Sequence, residues 1–451
     1  MDRRFSKVVS VVERMERLYS AKYGLVNNVY VDERKMNVVT GHYSYIMGNI
    51  VPMSGTIVRK STNKIIAEGS AIALDEKRGK IRAFGEFVER YCGLYNEIES
   101  VENCIFDSFN NMQTKGLHCL NLSTLNHFSE EYYKDPEFLF EEYSSASVIS
   151  WMEGEDIVHG KKTWLPLQKI FLEYPLPKEE LLYIPRLSTG LSCGSSYEQA
   201  ILGGIFEVVE RDSFMLTWLL KIPGIRIEME NIRNESLGIL YRHILNYLVG
   251  EDELLLYDIS KTNGIYTILA CLRNNLPNAY GLIVSAATHI DPEVAVFKAL
   301  EEVCQIQNFA YIALVSDEKK NYQNLRREDI DTLHKHSYYY SSGKNNKKMD
   351  FISSSKESIR LSDMVDYAKK SHRENLQYML KLFRQQEQPI YVADVTKAEI
   401  RDVGFWVFKV ICPSYLDLEI NHRFRQFNSS RLQMFQEEDG VKINDEPHPF
   451  A

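Results

Sequence analysis

LSTGLSCGSSYEQAILGGIFEVVERDSFMLTW, residues 187–218, joins a turn rich in small and hydroxyl residues to a long helical pattern. Within that pattern Glu207, Glu210 and Arg211 stand in the order Glu-x-x-Glu-Arg. Spacings of three and four residues put such side chains on one helix face. Ile205, Phe206, Val209 and Phe214 supply an apolar side for burial. The same order recurs at Glu86, Glu89 and Arg90 in KIRAFGEFVERYC. One such helix reads as a salt-bridged surface helix. Two, both set in apolar sequence, predict a shared site for a polyanion and its cations.

The rest of the chain narrows the class. Its 451 residues, 44% apolar and 25% charged, are those of an ordinary globular protein with room for one large domain or two smaller ones. A net charge of −9 without a dense Lys/Arg block argues against a nucleic-acid partner. Cysteines at 92, 104, 119, 193, 271, 304 and 412 form no Cys-x-x-Cys pair and read as reduced thiols. No apolar run approaches the ~18 residues of a membrane span, and the N-terminal MDRRFSKVVSVVERMERLYS reads as an amphipathic helix, not a signal peptide. A cytoplasmic address and no membrane partner are the expectation.

Period-two alternation over residues 24–70 predicts a hairpin turning at Ser61-Thr62-Asn63. The first acidic helix is expected from about Asp75 to Tyr95, and residues 100–150 read as helices and loops. TWLPLQKIFLEYP (163–175) reads as a strand ended by Pro175. Residues 254–260 and 264–274 read as strands about a Thr-Asn-Gly turn, and 390–396 and 405–413 as two late strands. Asp291 as N-cap and Pro292 at the first position predict a third helix, with Glu302 and Gln305 on one face. Residues 316–360 are strongly polar and read as an exposed excursion, with His334 and His336 solvated. No solenoid-type repeat is present.

Four carboxylates on two helices suit a hard cation bridging to phosphates. Arg90 and Arg211 can meet phosphate oxygens or pair with neighbouring glutamates. Ser188, Thr189, Ser192, Ser195 and Ser196, with Gly190 and Gly194, form a close-approach turn running into a helix, a suitable anion cradle. No Walker A, Gly-x-Gly-x-x-Gly or Gly-x-Ser-x-Gly pattern is present, so a nucleotide site here is an unorthodox one. Cys193 has no histidine near it in sequence and reads as a small buried thiol.

These residues resemble a known family. STGLSCGSSYEQAILGGIFEVVERDSFMLTWL resembles the central motif of YcaO-domain proteins, especially the azoline-forming cyclodehydratases ("D proteins") of thiazole/oxazole-modified peptide clusters. KIRAFGEFVERYCG resembles their first motif, AATHIDPEVAVFKALEEVCQIQ their third, and DTLHKHSYYY a segment of the azole branch. The resemblance runs from about residue 60 onward. It implies an α+β fold of mixed sheets packed with helices, with an ATP site formed between the acidic helices. The implied organisation is an N-terminal helix and hairpin at 1–65, a catalytic core at 66–436 and a proline-containing tail at 437–451.

Carried over by position, the resemblance makes Glu86, Glu89, Glu207 and Glu210 the Mg2+ ligands. Arg82, Arg90, Ser192, Ser195, Gln199, Arg211 and Gln305 become contacts to ATP. Gln199 stands where the family usually has Glu, and Gln307 where Arg is common. The family's azole-forming members carry a Pro-x-Pro-x-Pro tail that enters the active site. Here the matching residues are Pro447, His448, Pro449, Phe450 and Ala451, and His448 or Ala451 is the expected proton acceptor. The implied reaction is ATP-dependent conversion of Cys, Ser or Thr in a ribosomal precursor peptide to thiazoline or oxazoline. Thioamide formation from sulfide and a non-catalytic nucleotide-binding scaffold are the alternatives. The implied partners are the precursor peptide, an E1-like (ocin-ThiF-like) leader-binding protein, an FMN-dependent dehydrogenase and a second copy of the chain.

Overall fold

The computed structural model describes residues 11–20, 24–26, 28–35, 40–49, 66–95, 104–250, 252–274, 280–315, 325–439 and 442–450. In chain order its main elements begin with β1 (Asn28–Lys35), β2 (Thr40–Asn49), β3 (Ile66–Ala73) and α1 (Glu76–Cys92). Next come β4 (Cys104–Ser108), β5 (Val148–Asp156), β6 (Lys161–Pro166), β7 (Leu191–Gly194) and α2 (Tyr197–Leu219). The chain continues through β8 (Ile225–Glu228), α3 (Glu235–Tyr247), β9 (Glu253–Asp258), β10 (Tyr266–Arg273), β11 (Leu282–His289) and α4 (Pro292–Val315). It closes with α5 (Leu333–Tyr339), β12 (Ser358–Arg360), α6 (His372–Gln385), β13 (Tyr391–Asp394), β14 (Trp406–Ile411) and α7 (Ser430–Asp439).

These elements form two compact units, each discontinuous in sequence. The first comprises the described residues of Met1–Asp32, His42–Val208 and Lys369–Ser414; the second those of Glu33–Gly41, Val209–Ala368 and Tyr415–Ala451.

In the first unit a six-stranded sheet runs β4-β5-β13-β14-β7, with β6 also paired to β5. Its pairs are antiparallel, with Trp406 opposite Gly194 and Tyr391 opposite Asp156. β2 and β3 pair separately, His42 opposite Ala73 through Asn49 opposite Ile66. Helix α1 starts where Asp75 accepts the Arg78 N–H and buries Ala83, Phe84, Phe87 and Val88. That face joins Leu191, Phe405 and Val407 in one apolar core. Burying each large side chain contributes about 1.5–3 kcal/mol. At Gly69 on β3 an added Cβ would lie 1.9 Å from the Ala83 carbonyl oxygen, so only glycine lets α1 lie this close to the strand. Glu180 forms a buried polar node. It accepts the Ser150 N–H at 3.0 Å, the Ser150 hydroxyl at 2.7 Å, the Tyr174 hydroxyl at 2.6 Å and the Gln168 amide at 2.8 Å.

In the second unit a five-stranded sheet runs β11-β10-β9-β8-β12, and only the β8–β12 pair is parallel. Phe214, Trp218, Leu269, Val284, Tyr340 and Phe450 belong to its core. α4 begins as its capping signal requires, with the Asp291 carboxylate accepting the Glu293 N–H at 2.9 Å.

Several expectations need correction. β4 and the start of β5 lie where helices and loops were expected: CIFDS and VISWM are apolar runs too short to show a period of two. The strand after Thr163 ends at Pro166 and gives way to one helical turn at Leu167–Ile170, because Pro166 can start a helix but cannot extend a ladder. The polar stretch 316–360 is not uniformly exposed. His336 and Tyr340 are fully buried within it, because its few apolar and aromatic residues face the second unit's core. The Ser61-Thr62-Asn63 turn lies outside the described residues. The cysteines of the chain are all unpaired thiols. No helix among the described residues is long and apolar enough to cross a membrane.

Candidate functional site

The first unit gathers the acidic residues of α1 with the turn that leads into α2. Glu86, Glu89 and Glu207 are each half-buried, and each holds a backbone N–H, one from β3 and two from the Gly190 turn and β7. Glu86 Oε2 accepts from Ser70 at 2.9 Å, Glu89 Oε1 from Cys193 at 3.3 Å and Glu207 Oε2 from Gly190 at 2.9 Å. Gly190 has a φ of 82°, and a Cβ there would lie 2.1 Å from the Val410 carbonyl oxygen. Glycine is therefore required both for the left-handed turn and for its contact with β14. Arg90 approaches Glu86 at 3.8 Å with both side chains partly solvated, a weak pair. The Glu89 carboxyl is pushed well above the ordinary range, first by burial and then by the charges of Glu207 and Glu86, against the opposing pull of Arg90. Like charges have thus been brought together in a partly desolvated place.

The hydroxyl turn is built by the helix that follows it. Gln199 Oε1 accepts both the N–H and the O–H of Ser195, at 3.0 and 2.8 Å, while Ser196 caps the Gln199 N–H at 3.2 Å. The Ser192 hydroxyl lies over α2, where a Cβ on Gly203 would come within 2.1 Å of it. Arg82 donates to the Ile72 carbonyl at 2.8 Å. Burial raises the Cys193 thiol well above its ordinary range, which suits a packing role rather than a nucleophile.

The remaining predicted residues belong to the second unit. Glu210 stands one turn after Glu207 on α2; its Oε2 accepts the Thr288 N–H at 3.1 Å, and Arg211 lies 3.4 Å from its other oxygen. The Arg211 guanidinium lies 4.5 Å from the centre of the Phe450 ring. Gln305 is on α4. Pro447, His448 and Pro449 are buried, and His448 Nε2 is 2.8 Å from the Glu419 carbonyl. Ala451 lies outside the described residues.

A family description, YcaO cyclodehydratase, ATP- and Mg2+-binding, matches residues 72–416. The chain belongs to the YcaO family. Among curated proteins, this YcaO chain is 25% identical over 284 residues to an uncharacterised protein of Methanothermobacter thermautotrophicus, covering 62% of the chain and 69% of that protein. It is 29% identical over 188 residues to an uncharacterised protein from the tfuA 3′ region of Rhizobium leguminosarum bv. trifolii, covering 40% and 44%. Among solved structures, a heterocyclase in complex with substrate and cofactor superimposes with a TM-score of 0.77 at 18% identity, covering 98% of this chain and 57% of its own. The heterocyclase TruD gives 0.63 at 19%, covering 83% and 50%. The YcaO protein of Methanopyrus kandleri bound with AMPPCP and Mg2+ gives 0.61 at 16%, covering 98% and 95%. At these identities the likeness is one of fold. This YcaO chain spans about half the length of the two heterocyclases.

The residues present fit a divalent cation held jointly with a ligand. Among the described residues no three His, Cys, Asp or Glu side chains converge into a closed metal site. Mg2+ does not need one, since it is typically bound by one or two carboxylates, waters and substrate phosphates. Glu207 and Glu86 beside the buried Glu89 make a local excess of negative charge that such a cation would relieve.

The sequence reading missed Lys409. It is fully buried on β14, and its ammonium donates to the Leu187 carbonyl at 2.6 Å, fixing the start of the hydroxyl turn. Its signal was a lone lysine in the apolar run FWVFKVI.

Proposed function

We propose that this protein is an ATP- and Mg2+-dependent cyclodehydratase acting on a ribosomally made peptide. The observation that carries the reading is the raised carboxyl of Glu89 beside Glu207 and Glu86, within a chain of this family. In this reading Glu86, Glu89 and Glu207, with Glu210 one turn further along α2, hold Mg2+. The hydroxyl turn at Ser192 and Ser195 and the side chains of Arg82, Arg90, Gln199, Arg211 and Gln305 receive the nucleotide. Bound Mg2+ would supply charge neutralisation for phosphoryl transfer.

The peptide's Cys thiol, or its Ser or Thr hydroxyl, adds to the preceding amide carbon. The hydroxyl so formed takes the γ-phosphoryl group, and phosphate departs as the ring C=N bond forms. Activation is needed because hydroxide is a poor leaving group. His448 is the candidate proton acceptor through Nδ1, which is buried and makes no hydrogen bond among the described residues, although burial beside His336 lowers the basicity of that ring. A leader-binding partner, an FMN-dependent dehydrogenase and a homodimer are further parts of the proposal.

The test combines phosphate release with mass spectrometry of a precursor peptide, using the chain with its partner. Loss of one water per modified residue, with stoichiometric phosphate, is the expected result. Exchange of oxygen for sulfur would identify a thioamide-forming enzyme. Nucleotide binding with no peptide-dependent phosphate release would point to a scaffold. Glu89→Gln and Glu207→Gln should each abolish turnover; undiminished turnover in both would overturn the metal assignment.

A further inference from the structure

Residues 444–448 run through the second unit with five successive main-chain carbonyls, each facing a side-chain N–H, O–H or imidazole nitrogen. Arg425 Nη1 donates to the Asn444 carbonyl at 2.8 Å, and His422 Nε2 lies 3.0 Å from that of Asp445. Trp218 Nε1 donates to Glu446 at 2.9 Å and the Tyr340 hydroxyl to Pro447 at 2.6 Å. His336 Nδ1 faces the His448 carbonyl at 3.1 Å. An irregular segment ordinarily satisfies its carbonyls with its own backbone or with water. Here the facing groups come from Trp218 on α2, His336 on α5, Tyr340 just after α5, and His422 and Arg425 in the loop after β14.

The segment's composition matches such a surface. A lining made chiefly of N–H and O–H groups satisfies carbonyls and offers few acceptors to a main-chain N–H. Pro447 and Pro449 have no N–H to strand there. The Glu446 N–H turns back to the Asn444 side chain at 3.2 Å, and the Asn444 N–H goes to the Leu219 carbonyl at 2.7 Å. Beyond the prolines, Phe450 is fully buried, with its ring centre 4.7 Å from that of Phe214. The side chains of Asp445 and Glu446 instead point to Arg327 and Lys348, in partly solvated pairs that contribute little.

We propose that the groove lined by Trp218, His336, Tyr340, His422 and Arg425 is a peptide-recognition site that reads main-chain carbonyls. Its ligand class is an extended, proline-containing strand with a following aromatic anchor. Residues 444–450 are its resident and separable occupant. The groove's selectivity lies in the absent N–H groups and the aromatic anchor, as in other polyproline recognition, while the acidic side chains between them are interchangeable.

The experiment uses the full-length chain with a protease site inserted between Gly440 and Val441, so that the protein folds before the segment is cut. After cleavage, a fluorescent peptide of sequence KINDEPHPF should exchange into the groove, followed by anisotropy. Replacing both prolines by alanine should weaken it by at least fivefold, through lost preorganisation and the two new N–H groups. Replacing Asp445 and Glu446 by Asn and Gln should change binding less than threefold. Tyr340→Phe in the protein should weaken it about fivefold. No exchange in a cut protein that stays folded by circular dichroism would overturn the proposal. So would equal binding of the dialanine peptide, or binding governed by the two acidic residues. Loss of folding on cleavage would also overturn it, because the segment would then be core rather than ligand. None of these readouts uses turnover, so they stand or fall independently of the proposed reaction.

Discussion

The imidazole rings of His336 and His448 stack with centres 3.9 Å apart and planes 11° from parallel. His422, Glu419 and Arg425 face this pair from the loop after β14. Burial holds His336 down to about 4, although Glu419 and the carbonyls of Ile420 and His448 oppose it. Burial, then the charge of His336, holds His448 well below the usual range. Both rings are therefore neutral at pH 7. In the unfolded chain they titrate near 6.5, so below that pH the unfolded state takes up protons that the folded state refuses. Stability should fall as pH drops from about 6.5 towards 4, with a limiting slope of about 1.4 kcal/mol per pH unit for each ring. Urea midpoints at pH 7, 6 and 5 test this, and His336→Gln should flatten part of the slope. A pH-independent midpoint would refute it.

Glu89 gives the opposite sign. A carboxyl raised in the folded state stabilises below the unfolded value near 4.3 and loses that contribution as pH rises through the folded value. The metal-free chain should thus lose stability on this account as pH rises from acid towards neutral, and Glu89→Gln should remove that part of the dependence. The same variant should raise the thermal midpoint without Mg2+ and weaken Mg2+–nucleotide binding by roughly tenfold or more, the scale of one lost charged contact. Scanning calorimetry and titration calorimetry read the two effects separately. A lower midpoint combined with unchanged affinity would contradict both.

Glu180→Ala should destabilise the first unit by about 3–5 kcal/mol, because it strands buried donors on Ser150, Tyr174 and Gln168. Glu180→Gln should recover part of the loss. Denaturant unfolding monitored by near-ultraviolet dichroism reports it. A change under 1 kcal/mol for the alanine variant would show that the node is not needed.

Gly69→Ala places a methyl group 1.9 Å from the Ala83 carbonyl oxygen and 2.5 Å from the Phe87 nitrogen, both backbone atoms that cannot rotate away. β3 and α1 must separate, at a cost of about 3 kcal/mol or more. Gly85→Ala, where a Cβ meets nothing within 4 Å, is the matched control and should be neutral or slightly stabilising. Equal midpoints for the two variants would disprove the close-approach argument.

The acidic helices were legible because Glu86, Glu89, Glu207 and Glu210 carry a period that local spacing reveals. The cap at Asp291 was legible for the same reason. The partners of those carboxylates were not, since Ser70, Gly190 and Cys193 contribute backbone N–H groups and a backbone group has no sequence signature. His336 misled because its neighbours in sequence are polar, whereas its neighbours in space are His448, His422 and the carbonyl of Ile420. β4 and β5 were missed because their pairing, Cys104 opposite Met152 through Ser108 opposite Val148, depends on a partner some distance along the chain. Non-local pairing leaves little trace in a window of a few residues.

The order of strands in the first sheet sets a schedule for synthesis. β14 separates β13 from β7, yet it leaves the ribosome only after residues 209–368 have been made. Until then β7 and β5 present bare edges, and the Gly190 turn lacks the strand against which it is fixed. Such late closure is slow and exposes sticky edges meanwhile. Nascent chains stalled before Trp406 should therefore be the aggregation-prone and chaperone-dependent species of this protein.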